Sequence, residues 1–374
     1  MQPARRIKTV LPPHPRITHD KNNPDPRKRR DFGPLSPHAI SVKDRLKTEH
    51  PADVFKEYAH DRNAPLDVMR LCLGDYFGRL KKSARRDRLS IIHEKPIGAL
   101  ALHHVWANND RLVELALHDT ESAFWICYFG IAEGVDDMLL KWLEVELPPE
   151  ATSGLQENQL HLWRGHLLRS LVQAHLTHTS VNSADQALKM LFSFGARRNR
   201  AVLAFKQSKS TANQPVLVRT SMWPAAIALQ SGLWDGAYHR TSPALFDQFV
   251  DFTRQNYGKK LELPNDRDNN VYGLAKLQLM HPKKPGAELA LQWLRRRYKG
   301  RSAAEARHLL PPSGSVAYFS LRRFIARAQH LAKSPTMAGD AAWLEHLATE
   351  TLGLPSLTGL GSAKASDREK YTRR

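Results

Sequence analysis

Cysteine and long hydrophobic segments are scarce in this chain of 374 residues. Its two cysteines, Cys72 and Cys127, are far apart in sequence. Neither a disulfide framework nor a cysteine-rich zinc site is therefore indicated, and a reducing compartment is the simplest interpretation. The longest apolar run is AFWICYFGIA, residues 123–132, about half of the roughly 20 residues that a membrane-spanning helix needs. We predict a buried helix at this run and no transmembrane segment.

The sequence also lacks the short motifs that mark common catalytic sites. It contains no GxxxxGK[ST] phosphate loop, no GxSxG elbow and no CxxC pair. The segment HEKPI, residues 93–97, begins like a zincin helix but has Ile97 where the second metal ligand must be, and Pro96 would break that helix. We interpret four neighbouring histidines as packing or surface residues: His161, His166, His175 and His178. We therefore predict a protein that is not an enzyme and that has no metal site and no cofactor.

Positive charge is in excess. The chain has 56 Lys and Arg residues against 37 Asp and Glu residues, a formal net charge of +19. Such a charge attracts polyanions, including RNA, DNA and anionic membrane surfaces. Three clusters supply the candidate RNA-binding residues: Arg79, Lys81, Lys82, Arg85, Arg86, Arg88, Arg197, Arg198, Arg200, Arg295, Arg296, Arg297, Lys299 and Arg301. Cations also complement the negative end of a helix, so the alternative for each cluster is a solvated helix terminus.

Acidic residues are concentrated in a short run between the first two basic clusters. This run contains Glu133, Asp136, Asp137, Glu144, Glu146 and Glu150. Carboxylates repel a phosphate backbone, so we interpret Asp136, Asp137 and Glu144 as a candidate protein-binding surface.

The two ends of the chain differ in composition from the middle. Residues 1–50 contain eight of the 23 prolines and few large apolar residues, which predicts a basic, flexible arm. The first 19 residues carry four arginines and lysines and no acid, as matrix-targeting peptides do, whereas PRKRR at 26–30 is typical of nuclear localisation. We predict the mitochondrial matrix, with the nucleus as the alternative. Residues 356–374 are small, polar and charged, which predicts a disordered tail.

The body, residues 51–355, shows recurring helical periodicity. Apolar residues at 184, 187, 188, 191 and 192 form one face of a helix. Ser183 and Gln186 have the spacing of a capping box at its start, and Gly195 is typical of a C-terminal stop. The same spacing recurs after a turn at Gly134 and twice more towards the C-terminus. We predict an all-α fold, an irregular, α-solenoid-like array of antiparallel helical hairpins with disordered termini.

Two phrases carry a resemblance to a known family. AFWICYFGIAEGVDDMLLKWL, residues 123–143, resembles a pentatricopeptide-type repeat, with an apolar helix, a small-residue turn and a second helix. ADQALKMLFSFGARRN, residues 184–199, resembles the second helix and exit of such a repeat. The resemblance covers about 70 residues; elsewhere the hairpins are generic, and tetratricopeptide-like or HEAT-like arrays remain open. It implies RNA binding. That family reads RNA bases with a small polar residue early in the first helix of each repeat. In this sequence the position falls on Trp125 and His166, which are not small polar residues. The resemblance therefore does not extend to base-specific recognition.

Two functions from different classes follow from these features. In the first, the chain is a non-enzymatic, RNA-associated helical-repeat protein of an organelle, a ribosome-bound or transcript-bound factor whose cations meet phosphates. In the second, it is a protein-binding scaffold or assembly factor with no direct RNA contact. The positions of the three basic clusters in the folded chain discriminate between them. Nothing in the sequence predicts an oligomeric state.

Overall fold

The computed structural model describes residues 35–61, 64–106, 119–145, 157–178, 183–208, 216–235, 238–261, 268–334 and 337–355. Within these ranges the chain is helical and has no β-strand, which confirms the predicted all-α class. No helix in this part of the chain is long and apolar enough to cross a membrane. Most of the predicted arm, residues 1–34, and the predicted tail, 356–374, lie outside the described residues.

Seventeen α-helices follow one another through the described ranges. The first nine are α1 (Pro37–Arg45), α2 (Pro51–Tyr58), α3 (Leu66–Lys82), α4 (Arg88–Glu94), α5 (Gly98–Trp106), α6 (Thr120–Ala132), α7 (Asp136–Glu144), α8 (Glu157–His178) and α9 (Asp185–Gln207). The other eight are α10 (Val216–Arg219), α11 (Trp223–Asp235), α12 (Pro243–Leu261), α13 (Asp268–Leu279), α14 (Glu288–Tyr298), α15 (Ala303–His308), α16 (Val316–Leu331) and α17 (Ala338–His346). A 3-10 turn, Arg85–Asp87, precedes α4, and a π-helical turn, Leu347–Thr351, follows α17.

Side-chain oxygens satisfy the first amides of several helices. At α15 the Ser302 hydroxyl accepts from the Glu305 amide while the Glu305 carboxylate accepts from the Ser302 amide, a complete capping box. At α5 a carboxylate from another part of the chain has this role, because Glu133 accepts the amides of residues 97–99. These contacts fix where each helix begins and stabilise the positive end of its dipole.

A series of helix-to-helix contacts runs through the molecule. Helix α3 packs against α6, α6 against α8, α8 against α11, α11 against α13, and α13 against α16. Helices next in sequence add a second set of contacts, in which α2 packs on α3, α5 on α6, α9 on α8, α14 on α13 and α17 on α16. Five of these six central helices, all except α11, therefore contact both a central neighbour and a partner close in sequence.

The buried apolar residues form two clusters. The first extends from α1 to Leu277 of α13 and includes Phe55, Trp142 and Trp163. The second includes Trp234 of α11 and residues of α13 to α17, ending at Leu354. Since both clusters draw residues from α11 and α13, these two helices join the cores.

Glycine permits one unusually close helix contact and one tight turn. A Cβ atom at Gly98 of α5 would lie 2.5 Å from the backbone nitrogen of Gly130 in α6, so only glycine fits this crossing. Gly134, between α6 and α7, has a φ of 75°, a left-handed conformation that favours glycine. The predicted turn at Gly134 is confirmed.

The structure corrects the prediction of a flexible arm for the part of residues 1–50 that it describes. Residues 37–45 form α1, which packs on α3. Ser36 caps α1 and donates to the carboxylate of Asp67, with its amide nitrogen 2.9 Å from Oδ2. Ala39 and Val42 are fully buried. The composition of the arm does not reveal this helix. The small apolar face of α1 is buried only because it packs against α3, which is distant in sequence.

The predicted helix stop at Gly195 is also wrong. Helix α9 continues through Gly195 to Gln207, and its N-cap is Ala184, although the Ser183 hydroxyl accepts from the Asp185 amide. A Cβ atom at Gly195 would lie 3.1 Å from Cε of Met222. The absence of a side chain at Gly195 therefore leaves room for Met222 and does not mark the end of a helix.

Candidate nucleic-acid interface

The first basic cluster lies where α3 ends and α4 begins. Arg79 forms an ion pair with Asp75, 2.7 Å from Nε to Oδ2, and also donates to the carbonyl of Leu46, the C-terminal residue that follows α1. Arg88 donates to the carbonyls of Lys81 and Ser83 at 3.3 and 3.4 Å. These two arginines stabilise helix ends, as the alternative interpretation predicts.

The other residues of this cluster lie from the end of α3 to the start of α4. Lys82 and Arg86 are exposed, and Arg86 lies 3.4 Å from the adjacent carboxylate of Asp87. The Lys81 ammonium lies 4.6 Å from the ring centre of Phe77, a cation–π contact. Arg85 is the first residue of the 3-10 turn. Exposed charge at this corner is therefore contributed by Lys81, Lys82 and Arg86.

The second cluster lies within a helix and not at a helix exit. Arg197 forms an ion pair with Glu144 of α7, with 2.9 Å between Nη1 and Oε1. Arg198 donates to the carbonyl of Val218 at 3.1 Å, and burial lowers the pKa of its guanidinium. Arg200 is exposed. Two of the three arginines are thus used in contacts of α9 with α7 and α10.

The third cluster lies at the end of α14. Arg295 forms an ion pair with Asp340 and lies over the ring of Trp343, while Arg297 donates to the carbonyl of Leu309 at 3.2 Å. Arg301 is exposed and donates to the carbonyl of Arg297 at 2.8 Å. The remaining two residues of the cluster are exposed: Arg296 and Lys299.

Arginine-to-carbonyl bonds recur outside the predicted clusters. Arg164, which is 5% exposed, donates to the carbonyl of Val145 at 2.6 Å, just after α7. Arg327 donates to the carbonyl of Leu279, the last residue of α13, at 2.8 Å. Arg307 donates to two carbonyls of the π-helical turn. Several arginines therefore complement the carbonyl groups at helix C-termini of the same chain.

The three candidate acidic residues of α7 differ in their surroundings. Asp136 and Asp137 lie in the first turn of α7. Among the described atoms, the buried Oδ1 of Asp136 has no hydrogen-bond partner, and burial raises the pKa of this carboxyl, with a further contribution from Asp137. Asp137 is exposed, and Glu144 pairs with Arg197. The structure thus gives Glu144 an intramolecular partner and leaves Asp137 as the exposed carboxylate of the three.

The three basic clusters belong to different parts of the chain of helix contacts. The first is at α3 and α4, which pack on α6; the second is in α9, which packs on α8; the third is in α14, which packs on α13 and α16. None of the principal helix contacts within the described ranges joins α3, α9 and α14 to one another. The principal helix contacts therefore do not bring the three clusters together.

A fourth group of cations, at α13 and α16, was not predicted. The Lys276 ammonium donates to the Ser320 hydroxyl at 2.8 Å and lies 4.3 Å from the ring centre of Tyr272. The Arg323 guanidinium lies 5.3 Å from the ring centre of Trp234. The available sequence signal was the composition of α16, which has three arginines, two aromatic residues beside its start and no acid.

Three of the four neighbouring histidines have described side chains, and all three are half-buried on α8. The Nε2 atom of His178 lies 2.6 Å from the carbonyl oxygen of Tyr128, and its ring stacks on that of Tyr128 with 4.0 Å between centres. Burial lowers the pKa of His175 to about 4. In the part of the chain with described side chains, no group of three or more His, Cys, Asp or Glu residues is arranged to hold a metal ion.

The chain has no match among known protein-family models, curated proteins or solved structures.

Proposed function

We propose that the chain is a non-enzymatic, RNA-associated protein, with its helices arranged as an irregular array of antiparallel hairpins. The observation that carries this proposal is the charge of residues 295–331, which contain nine Lys or Arg residues and a single acid, Glu305. Some of these cations have internal carbonyl partners, yet Arg296, Lys299 and Arg301 are exposed. Exposed cations on a folded surface bind phosphates and release counterions.

The array itself is supported by the contacts between helices. Five pairs of helices near each other in sequence pack together: α2 with α3, α5 with α6, α8 with α9, α13 with α14, and α16 with α17. One member of each pair also contacts a central helix of a neighbouring pair or α11, as in stacked hairpins. The irregular lengths of the helices, from 4 residues in α10 to 23 in α9, fit a divergent, pentatricopeptide-like or tetratricopeptide-like array rather than a regular solenoid.

The first 19 residues carry four arginines and lysines and no acid, as matrix-targeting peptides do. We therefore retain the mitochondrial matrix as the proposed location, with the nucleus as the alternative. The alternative is a protein-binding scaffold with no direct RNA contact, whose surface would include the exposed carboxylate of Asp137 on α7.

Titration of a labelled single-stranded RNA with the full chain tests the proposal. Fluorescence anisotropy between about 50 and 200 mM salt should give an affinity that falls as salt rises, with a slope near 0.7 for each phosphate contacted. A heparin competitor should displace the RNA, whereas an uncharged polymer should not. Absence of binding at the lowest salt would overturn the RNA proposal and favour the scaffold.

A further inference from the structure

The first two turns of α16 expose apolar and aromatic side chains. Val316 is 87% exposed and Phe319 is 38% exposed, and their spacing of three residues places them on the same side of the helix. The rings of Phe319 and Tyr318 meet edge to face, with 6.0 Å between centres. An exposed aromatic ring with a fixed neighbour offers a flat face for another planar group.

Two arginines stand one turn further along the same helix. The Arg322 guanidinium lies 6.0 Å from the ring centre of Tyr318. Arg323 follows Phe319 by four residues, on the same side of α16, and its guanidinium lies over the ring of Trp234. Because α16 contains no acidic residue, the charged side chains of α16 beside the exposed ring of Phe319 are positive. We call this group the α16 aromatic surface: Val316, Tyr318, Phe319, Arg322 and Arg323.

The charge of the surface restricts what can cover it. Neither end of this chain is complementary, since residues 1–34 contain nine Lys or Arg and three acids and residues 356–374 contain five Lys or Arg and two acids. The complementary occupant carries negative charge and planar apolar groups together. Single-stranded RNA has both, because its unpaired bases stack on aromatic rings while its phosphates bind arginine.

We propose that the α16 aromatic surface binds single-stranded RNA, with a base stacked on Phe319 and the adjacent phosphates bound by Arg322 and Arg323. This assignment rests on the proposed function, and it specifies that the bound RNA is single-stranded. A duplex does not fit in the same way because its bases are stacked within the helix and their faces are not accessible. RNA recognition here combines one stacking contact with two charge contacts.

Photochemical crosslinking locates the contact directly. The full chain is mixed with a single-stranded 4-thiouridine oligonucleotide, irradiated and digested with trypsin. Cleavage after Arg307 and Arg322 releases residues 308–322, which include Tyr318 and Phe319. We expect this peptide to carry the crosslinked nucleotide, and an excess of unlabelled single-stranded RNA, but not duplex RNA, to suppress it.

Two variants separate stacking from charge. In F319L an apolar side chain remains but the ring is lost, so we expect the Kd for single-stranded RNA to rise about tenfold with the salt slope unchanged. In R322Q/R323Q the slope should fall by about 1.4, or 0.7 for each phosphate contact. The control is L203A on α9, a substitution at another exposed apolar residue, which should leave both quantities at the parent values.

The outcomes distinguish this inference from the proposed function. If the parent binds RNA but F319L binds equally well and the crosslink maps to another peptide, the α16 assignment is overturned and RNA association stands. If the parent does not bind RNA, both fail. A parent that self-associates through α16, with a dimer abolished by F319L and no crosslink, would instead identify a second copy as the occupant. Circular dichroism of each variant verifies folding. If a variant unfolds, the position of the crosslink in the parent determines whether RNA contacts the α16 aromatic surface.

Discussion

The guanidinium of Arg197 and the carboxylate of Glu144 lie 2.9 Å apart and join α9 to α7. The sequence suggests opposite partners for them, RNA for the arginine and a protein for the glutamate, yet in the folded chain they bind each other. Both side chains are about one-third exposed. The ion pair therefore contributes to the packing of the two helices, and neither residue is fully available to an external ligand.

We expect R197Q and E144Q each to lower the free energy of unfolding by up to about 1 kcal/mol, the range of partly exposed ion pairs. The double variant should lose less than the sum of the two, because each single change removes the same interaction. Chemical denaturation of the four proteins measures this coupling. R200Q, an exposed neighbour on α9, is the control and should leave stability unchanged. Additive losses would show that the pair is not coupled.

Arg164 should be more important for stability than any exposed arginine. Its buried guanidinium donates to the carbonyl of Val145 and lies 4.3 Å from the ring centre of Trp163. In R164Q that carbonyl loses its charged donor, so we expect the free energy of unfolding to fall by about 1–3 kcal/mol. R169Q changes an exposed arginine on the same helix and should have little effect. Equal melting temperatures for the two variants would contradict the role assigned to Arg164.

The crossing of α5 and α6 should not tolerate a side chain at Gly98. A Cβ atom there would meet the backbone of Phe129 and Gly130 at 2.5 Å, so G98A should lower the free energy of unfolding by about 1–3 kcal/mol. Gly78, within α3, is the matched control because no atom lies within 4 Å of its added Cβ atom. There the better helix propensity of alanine should raise stability by up to about 1 kcal/mol. Thermal unfolding that changes in the same direction for both variants would contradict this prediction.

Stability should also depend on pH through His175. Burial lowers its pKa from 6.5 to about 4, so the folded chain favours the neutral ring. The contribution is fully present above pH 6.5 and is lost as the pH falls towards 4, with a total of up to about 3 kcal/mol. In H175Q the loss of stability over this interval should be smaller, whereas H330Q, which changes an exposed histidine, should retain the parent profile. Denaturation midpoints at pH 7, 5.5 and 4.5 measure the difference.

The sequence predicts local helical structure well and long-range contacts poorly. The apolar spacing of Ala187, Leu188 and Leu191 correctly predicts the buried face of α9, since a helix repeats every 3.6 residues. The end of α9 is not predicted, because its second half is held by Met222, Val218 and Glu144, which lie in other parts of the chain.

The candidate site shows the same division. Local composition identifies where cations are concentrated, but the same arginine-rich segment supplies both exposed residues and helix-capping residues. Arg296 is exposed, whereas its neighbour Arg297 reaches the carbonyl of Leu309, twelve residues away. The carbonyl partners of Arg164 and Arg327 are likewise determined by the packing of helices and have no local sequence signal.

The exposed cations of the first and third basic clusters provide the most direct test of RNA association. The substitutions K82Q, R86Q, R296Q and K299Q, combined in one protein, remove exposed charge and no carbonyl cap. If these residues contact phosphates of single-stranded RNA, the slope of log K against log salt should fall by about 2.8, or 0.7 for each contact, with an unchanged melting temperature. A variant with the parent's affinity and salt slope, or a parent that does not bind RNA at about 50 mM salt, would contradict the assignment of these cations to RNA.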